Sequence, residues 1–172
     1  RNGGNEYTRN RIKDAFFGWV SQETNVDIMG YEPCILYLNG QYWGVYGIRE
    51  KIDEHYIEDN YFIDSDSIDL INRIGAISGT QDHFINAYHE ILNTNTESSN
   101  LFTLFGEKFD VDSYIDYYII ETCIQNKDWF GGKNNIKLWR PQTELGKWRY
   151  VLYDVDQAYR EEPSVDYLSF IR

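Results

Sequence analysis

The sequence predicts an α+β fold, and three observations carry that prediction. Residues 34–48 form two apolar, aromatic runs around Asn39-Gly40, the dipeptide preferred in a type I′ hairpin turn. Residues 136–139 and 148–153 are two further β-rich runs, joined by a turn over 141–146 that opens with Pro141 and closes with Gly146. Between and before these hairpins, apolar side chains recur at helical spacing in residues 8–20, 81–93 and 111–125.

The first helix is expected over 8–20, after an Asn- and Gly-rich loop at 1–5, with Ile12, Ala15, Phe16, Trp19 and Val20 on its inward face. In the returning strand of the first hairpin, Tyr42, Gly44, Tyr46 and Ile48 share one face, and Trp43, Val45 and Gly47 share the other. Asp53 is placed to cap a short helix running to about residue 62, and a turn-rich stretch then leads to a short strand at 70–74. Ser78 or Thr80 caps the next helix, which turns Phe84, Ala87, Tyr88, Ile91 and Leu92 inward, and 94–100 reads as a polar linker. Asp110 caps the strongest helix, with Val111, Tyr114, Ile115, Tyr118, Ile119 and Thr122 as its buried stripe. No internal repeat is present.

Length and charge limit the function classes. At 172 residues the chain fits one domain. Its net charge of −12 argues against binding a phosphate backbone or an anionic bilayer. No apolar run approaches the roughly 18 residues of a membrane span. Aromatics reach 17%, which speaks against disorder. Cys34 and Cys123 make neither a disulfide framework nor a zinc cluster, and they suit a reducing compartment or a secreted domain with free thiols equally. The chain opens on Arg1, so the absence of a signal peptide leaves localisation open.

Chemistry concentrates in the last third. An apolar helix delivers an irregular stretch carrying Asn126, Asp128, Asn134 and Asn135, and the second hairpin then delivers Asp154 and Asp156. Helix, loop with Asp and Asn, two strands, then Asp is the order used by kinase-type phosphoryl-transfer enzymes. There a loop Asp orients the attacking hydroxyl, an Asn helps hold metal, and a strand-end Asp binds Mg²⁺ bridging the phosphates. The structural alternative for each is ordinary: strand-end aspartates cap and form turns, and Asn-rich loops make turns.

The same residues lie within a wider resemblance. The segments Arg1-Asn-Gly-Gly-Asn5, Lys13-Asp14-Ala15, Leu36-Tyr-Leu-Asn-Gly-Gln-Tyr-Trp-Gly-Val-Tyr46 and Arg49-Glu-Lys-Ile-Asp53 are similar, in order, to the CotH kinase family, named for spore coat protein H. So are Asn126-Lys-Asp-Trp129, Asn134-Asn-Ile-Lys-Leu-Trp-Arg140 and Trp148-Arg-Tyr-Val-Leu-Tyr-Asp-Val-Asp156. The resemblance implies an atypical protein-kinase-like fold and Mg²⁺- and ATP-dependent phosphorylation of a Ser, Thr or Tyr hydroxyl on a protein. By position it makes Asp128 the catalytic-loop aspartate and Asp154 the metal-binding aspartate, aided by Asn135 or Asp156. It puts Tyr42 and Trp148 around the adenine ring. It also implies a bacterial setting in a spore coat, at a cell surface or outside the cell.

The family pattern starts upstream of this chain, with a Gly-Asn-Ser-rich loop and a Lys-bearing strand expected at the phosphates, and it continues beyond Arg172. The expectation is a single domain truncated at both ends: a small-lobe, hairpin part over about 1–75 and a helical part over about 76–172. By itself the chain is then expected to be inert, with an exposed sheet edge open to self-association. Two rival readings stand beside this one. One is a non-catalytic surface, adhesion or coat module with the same fold. The other is a metal-dependent glycosyltransferase, because Asp-x-Asp at a strand end also holds a metal and a nucleotide sugar, although no doubly wound βαβ pattern surrounds Asp154.

Other conspicuous residues are expected to be structural. Arg49, Glu50 and Lys51 read as a solvated turn, Trp43 and Trp129 as core or wall, and His83 and His89 as surface. Asp64, Asp66 and Asp69 lack the Gly and Glu that a calcium loop needs.

Overall fold

The computed structural model describes residues 12–95, 100–130 and 135–159, apart from the side chains at 127 and 130. Helix α1 (Lys13–Val20) leads to a two-residue strand β1 (Asp27–Ile28) and the hairpin β2 (Tyr31–Leu38)–β3 (Gln41–Arg49). Helix α2 (Glu54–Tyr61) precedes the strands β4 (Ile68–Asn72) and β5 (Ala76–Ser78). Helices α3 (Asp82–Asn93), α4 (Asn100–Lys108), α5 (Val111–Cys123) and the short α6 (Lys127–Phe130) follow, and β6 (Lys137–Pro141) and β7 (Arg149–Leu152) close the described chain. The architecture is α+β, as the sequence predicts.

Strand order in the main sheet is β1-β7-β6-β4-β5, and only the β1–β7 pair is parallel. The hairpin β2–β3 forms a separate two-stranded sheet. Its turn matches the sequence expectation: Asn39 (φ 51°) and Gly40 (φ 81°) both occupy the left-handed region that a type I′ turn requires. The second hairpin also forms, with Trp139 opposite Arg149 and Leu138 opposite Tyr150. The strands β4 and β5 flank position 75 and pair with one another, and β4 pairs in turn with β6. Hydrogen bonding therefore runs straight across the boundary expected near residue 75.

Both faces of the main sheet are buried. On one face Ile68, Leu70, Trp139 and Val151 pack against Tyr56 and Ile57 of α2. On the other, Leu138 and Ile71 meet Ala87 of α3 together with Phe109 and Trp148, while Leu152 joins Tyr117 of α5, Ile124 and Trp129. Each fully buried side chain of this size contributes about 1.5–3 kcal/mol. Polar anchors fix the register. Asp53 caps α2 by accepting from the His55 and Tyr56 amides at 3.1 and 3.2 Å. Asp110 caps α5 through the Ser113 amide at 3.1 Å. Buried Asp27 accepts from Arg149 at 3.0 Å and from the Trp139 indole, and Arg149 also pairs with Asp110, so the parallel edge strand is held by charge.

The expected faces of three helices need correction: in α3, Tyr88 and Leu92 are exposed and Ala87 is the buried residue. In α1 the buried residues are Asp14 and Phe17, whereas Ile12, Phe16, Trp19 and Val20 are exposed. The helix is turned by the partners of its inward side: Asp14 meets Arg49, and Phe17 packs in the Tyr117–Val155 cluster. In α5 the buried positions are Ser113, Tyr117 and Glu121, and Ile115 and Ile119 are exposed. Docking of β7 sets this face. The Tyr150 amide donates to Ser113 Oγ at 3.0 Å, and the Tyr150 ring stacks on Tyr117 with centroids 4.5 Å apart. Helix α4 begins where the linker was expected to end; Thr103, Gly106 and two phenylalanines give it weak intrinsic helical preference.

Candidate functional site

The site draws on five separate segments of the chain. Asp154 lies just past the end of β7, in a left-handed conformation (φ 55°), and Asn135 lies before β6 in the same conformation (φ 56°). The Asn135 side-chain amide donates to the Asp154 carbonyl at 3.1 Å, so the two ends of the hairpin are tied at the point where the acid is presented. Asp and Asn tolerate the left-handed region better than other side chains, because their short polar groups bond locally. Asp156 follows as a buried residue whose Oδ1 accepts from Gln157 at 3.1 Å. Asp128 sits in α6, half-buried.

Two further groups join them. Asp14, buried on α1, and Arg49, at the end of β3, form an ion pair at 2.6 Å. Neither carboxylate oxygen of Asp14 is met in full hydrogen-bond geometry, and the Arg49 Nε–H is likewise unpartnered. The pair is a close charge contact, and the Val155 backbone amide also acts on Asp14. Lys13 reaches the Asp156 and Ala158 carbonyls at 3.4 and 2.6 Å, which docks α1 onto the segment after β7.

Charge shows that these residues share one field. Burial, then the charges of Asp14 and Asp156, push the Asp154 carboxyl up to about 6; Arg49 opposes the rise and Asp128 adds to it. Asp14 is also raised, first by burial and then by Asp156, against the pull of Arg49. The Asp154 carboxyl thus lies in the field of three other carboxylates and of the Arg49 guanidinium. Hard oxygen donors of this kind suit Mg²⁺, which takes one or two protein carboxylates and completes its shell with water and phosphate oxygens. Among the described residues no group of three or more His, Cys, Asp or Glu side chains converges to hold a metal. The donor set fits a cation held jointly with a ligand and does not form an all-protein cage.

The base-binding expectation divides. Tyr42 is 61% exposed on β3, in edge contact with Tyr37. Trp148 is a correction: its side chain is 0% exposed. Its indole N–H donates to His83 Nδ1 at 3.0 Å, and its ring packs edge-on to Phe84 at 5.6 Å. A ring enclosed on every side offers no face to a base. For the same reason His83 is not a simple surface residue.

Arg49 is a correction: expected in a solvated turn, it instead pairs with buried Asp14, which the sequence marks only within a family-like segment. Glu50 accepts from the Gly30 amide and from Asn60, and only Lys51 points to solvent, paired with Asp53. The signal available was a charged residue on the short apolar helix, one turn before Phe17. Trp129 is core, as expected, whereas Trp43 is 58% exposed. Asp64 caps a turn by accepting from the Asp66 amide, and Asp69 pairs with Arg140 at 2.7 Å, so both carboxylates have structural partners. Asn134 lies outside the described residues.

The fold is α+β, and its candidate aspartates Asp128 and Asp154 come from α6 and from the end of β7. The family model described as CotH kinase protein matches residues 2–164 of the 172. The chain belongs to the CotH kinase family. Neither the curated proteins nor the solved structures give a match.

Proposed function

We propose that this chain carries the metal and hydroxyl side of an atypical, kinase-like phosphoryl-transfer site acting on a protein Ser, Thr or Tyr hydroxyl. The observation that supports the reading best is the raised Asp154 carboxyl, shaped by Asp14, Asp156 and Asp128 together. Such an excess of negative charge is relieved by a divalent cation.

In this reading Asp154 is the principal metal ligand and Asp156 adds negative charge behind it. Asn135 fixes the backbone that aims Asp154. Magnesium with ATP, when bound, supplies charge neutralisation on the transferring phosphate. Asp128 accepts the hydrogen bond of the acceptor hydroxyl and takes its proton as the O–P bond forms and the bond to ADP breaks. Arg49 balances the carboxylates and holds Asp14 inward. Tyr42 is the remaining candidate for stacking on the adenine, a contact of about 1–3 kcal/mol by analogy with bases in nucleic-acid complexes. The hairpin β2–β3, whose strands pair only with each other among the described residues, is the edge on which self-association is expected.

The test is ATP-dependent transfer by the whole protein to its own hydroxyls or to a generic protein substrate, with and without Mg²⁺. Loss of transfer in Asp154→Asn and Asp128→Asn, with folding intact, is the expected result. Transfer that survives both substitutions overturns the reading, and so does a protein that binds no Mg-ATP.

A further inference from the structure

Next to α6, which carries Asp128, lies a buried polar cluster that the mechanism above does not use. Glu121 (1% exposed), Asn126 (1%) and Tyr117 (0%) lie in or beside an otherwise apolar core of Phe17, Ile124, Trp129 and Leu152. The Tyr117 hydroxyl and the Asn126 amide both act on the Glu121 carboxyl, yet all five of their polar side-chain atoms lack a partner in full hydrogen-bond geometry. Buried polar groups left in this state are rare in folded proteins and each calls for a reason.

The backbone supplies one. Helix α5 ends in a Schellman motif: the Asn126 amide returns to the Glu121 carbonyl at 3.1 Å, and the Gln125 amide returns to the Thr122 carbonyl at 3.1 Å. Gln125 takes the left-handed position (φ 54°) that glycine usually fills. An apolar contact commonly closes this motif, between the residues that here are Glu121 and Asn126. The chain instead buries an acid against an amide at that spot, two residues before Asp128. Burial pushes the Glu121 carboxyl up to about 8, so at neutral pH it is largely the neutral acid, with one donor and one acceptor to offer. A primary amide accepts and donates in the complementary sense.

We infer that Glu121 is a positioning residue: with Tyr117 it latches the Asn126 side chain to α5, and through Asn126 it sets the placement of Asp128. Open hydrogen bonds at the latch accord with this role, because contacts that set catalytic geometry are often long in the free protein and tighten in the complex. The role of Asp128 in orienting a hydroxyl rests on the function proposed above; the latch itself does not.

The experiment compares Glu121→Ala and Glu121→Gln with wild type in the whole protein, by hydrogen exchange and by ATP-dependent transfer. In Glu121→Ala, amides of the 124–130 segment are expected to exchange at least about ten-fold faster, while the β6 and β7 amides stay unchanged. Glu121→Gln, which keeps one donor and one acceptor, is expected to restore protection. Where wild type transfers phosphate, Glu121→Ala is expected to lower kcat about ten-fold or more with KM for ATP within two-fold, and Glu121→Gln to recover most of it. Unchanged exchange at 124–130 overturns the latch, as does acceleration spread equally over the sheet or a kcat equal to wild type. If wild type transfers nothing, the phosphoryl-transfer reading fails and exchange alone decides the latch. Should Glu121→Ala not fold, Asn126→Ala and Tyr117→Phe test the same local loosening by the same criteria.

Discussion

Asn135 and Asp154 stand at the two open ends of one hairpin, both in the left-handed region, and the side chain of the first holds the carbonyl of the second at 3.1 Å. The Asp154 carboxyl is half-buried at the strand end, where burial and the charges of Asp14, Asp156 and Asp128 disfavour its ionisation. Asp154→Asn should therefore cost the fold nothing. Asp154 has a folded pKa above its usual value, so its ionisation lowers stability as pH rises from that value through about 6. The metal-free Asn variant should melt higher than wild type above pH 6 and equally near pH 4, while transfer is lost. Thermal melts at the two pH values, beside a transfer assay, check both statements.

Arg49 holds a buried acid. Removing it leaves Asp14 charged and unpaired, so Arg49→Met is expected to destabilise toward the lower end of about 3–5 kcal/mol. Asp14 is already raised by burial, and protonation offers it a way out. The loss should thus be larger at pH 8 than at pH 5, and Asp14→Asn in the Arg49→Met background should recover much of it. Urea titrations of the three variants at both pH values measure this. Equal loss at pH 5 and pH 8 would show that the pair matters through packing rather than charge.

Tyr42 and Trp148 should separate cleanly in kinetics. Tyr42→Ala removes an exposed ring and should raise KM for ATP about ten-fold, in line with one stacking contact, with little loss of stability. Trp148→Ala empties a fully enclosed site and strands His83, for an expected cost of about 3–5 kcal/mol. The milder Trp148→Phe should leave KM for ATP within two-fold. A Trp148→Phe variant that stays folded but loses ATP affinity would reinstate a role for that ring.

Gln125 carries the left-handed turn at the end of α5 without being glycine. A non-glycine residue there costs about 1–2 kcal/mol, offset in part by the wider freedom glycine has when unfolded. Gln125→Gly should stabilise by up to about 1 kcal/mol, and Gln125→Val should destabilise. Denaturant midpoints at constant slope read out the difference.

Elements whose pairing is local were legible in the sequence, and faces chosen by distant partners were not. Asn39-Gly40 dictates its own turn, and Asp53 and Asp110 bond amides two or three residues away, so all three followed from neighbouring residues. The stripes on α1 and α5 did not, because apolar periodicity locates a helix without saying which face wins. In α1 the Arg49 guanidinium, more than thirty positions on, draws Asp14 inward against four apolar side chains. In α5 the arrival of β7 selects Tyr117 and Glu121 over Ile115 and Ile119. The candidate site shows the same division. Asp128, Asn135, Asp154 and Asp156 were visible because their order along the chain has chemical meaning. Asp14 and Arg49 enter only through folding, and Trp148 looked available because a strand position does not reveal what covers it.

The parallel pairing of Asp27–Ile28 with β7 has a consequence for how the protein is made. A buried carboxylate at position 27 waits for a guanidinium at position 149, so the edge of the sheet cannot settle until the ribosome has released the chain through Arg149. Asp154 emerges later still. Nascent chains halted before Arg149 should be cleaved readily by protease across β1 and α2, and chains extended past residue 159 should resist. The acidic centre is then completed only after β7 has been made, which delays a concentrated negative charge until there is a scaffold to hold it.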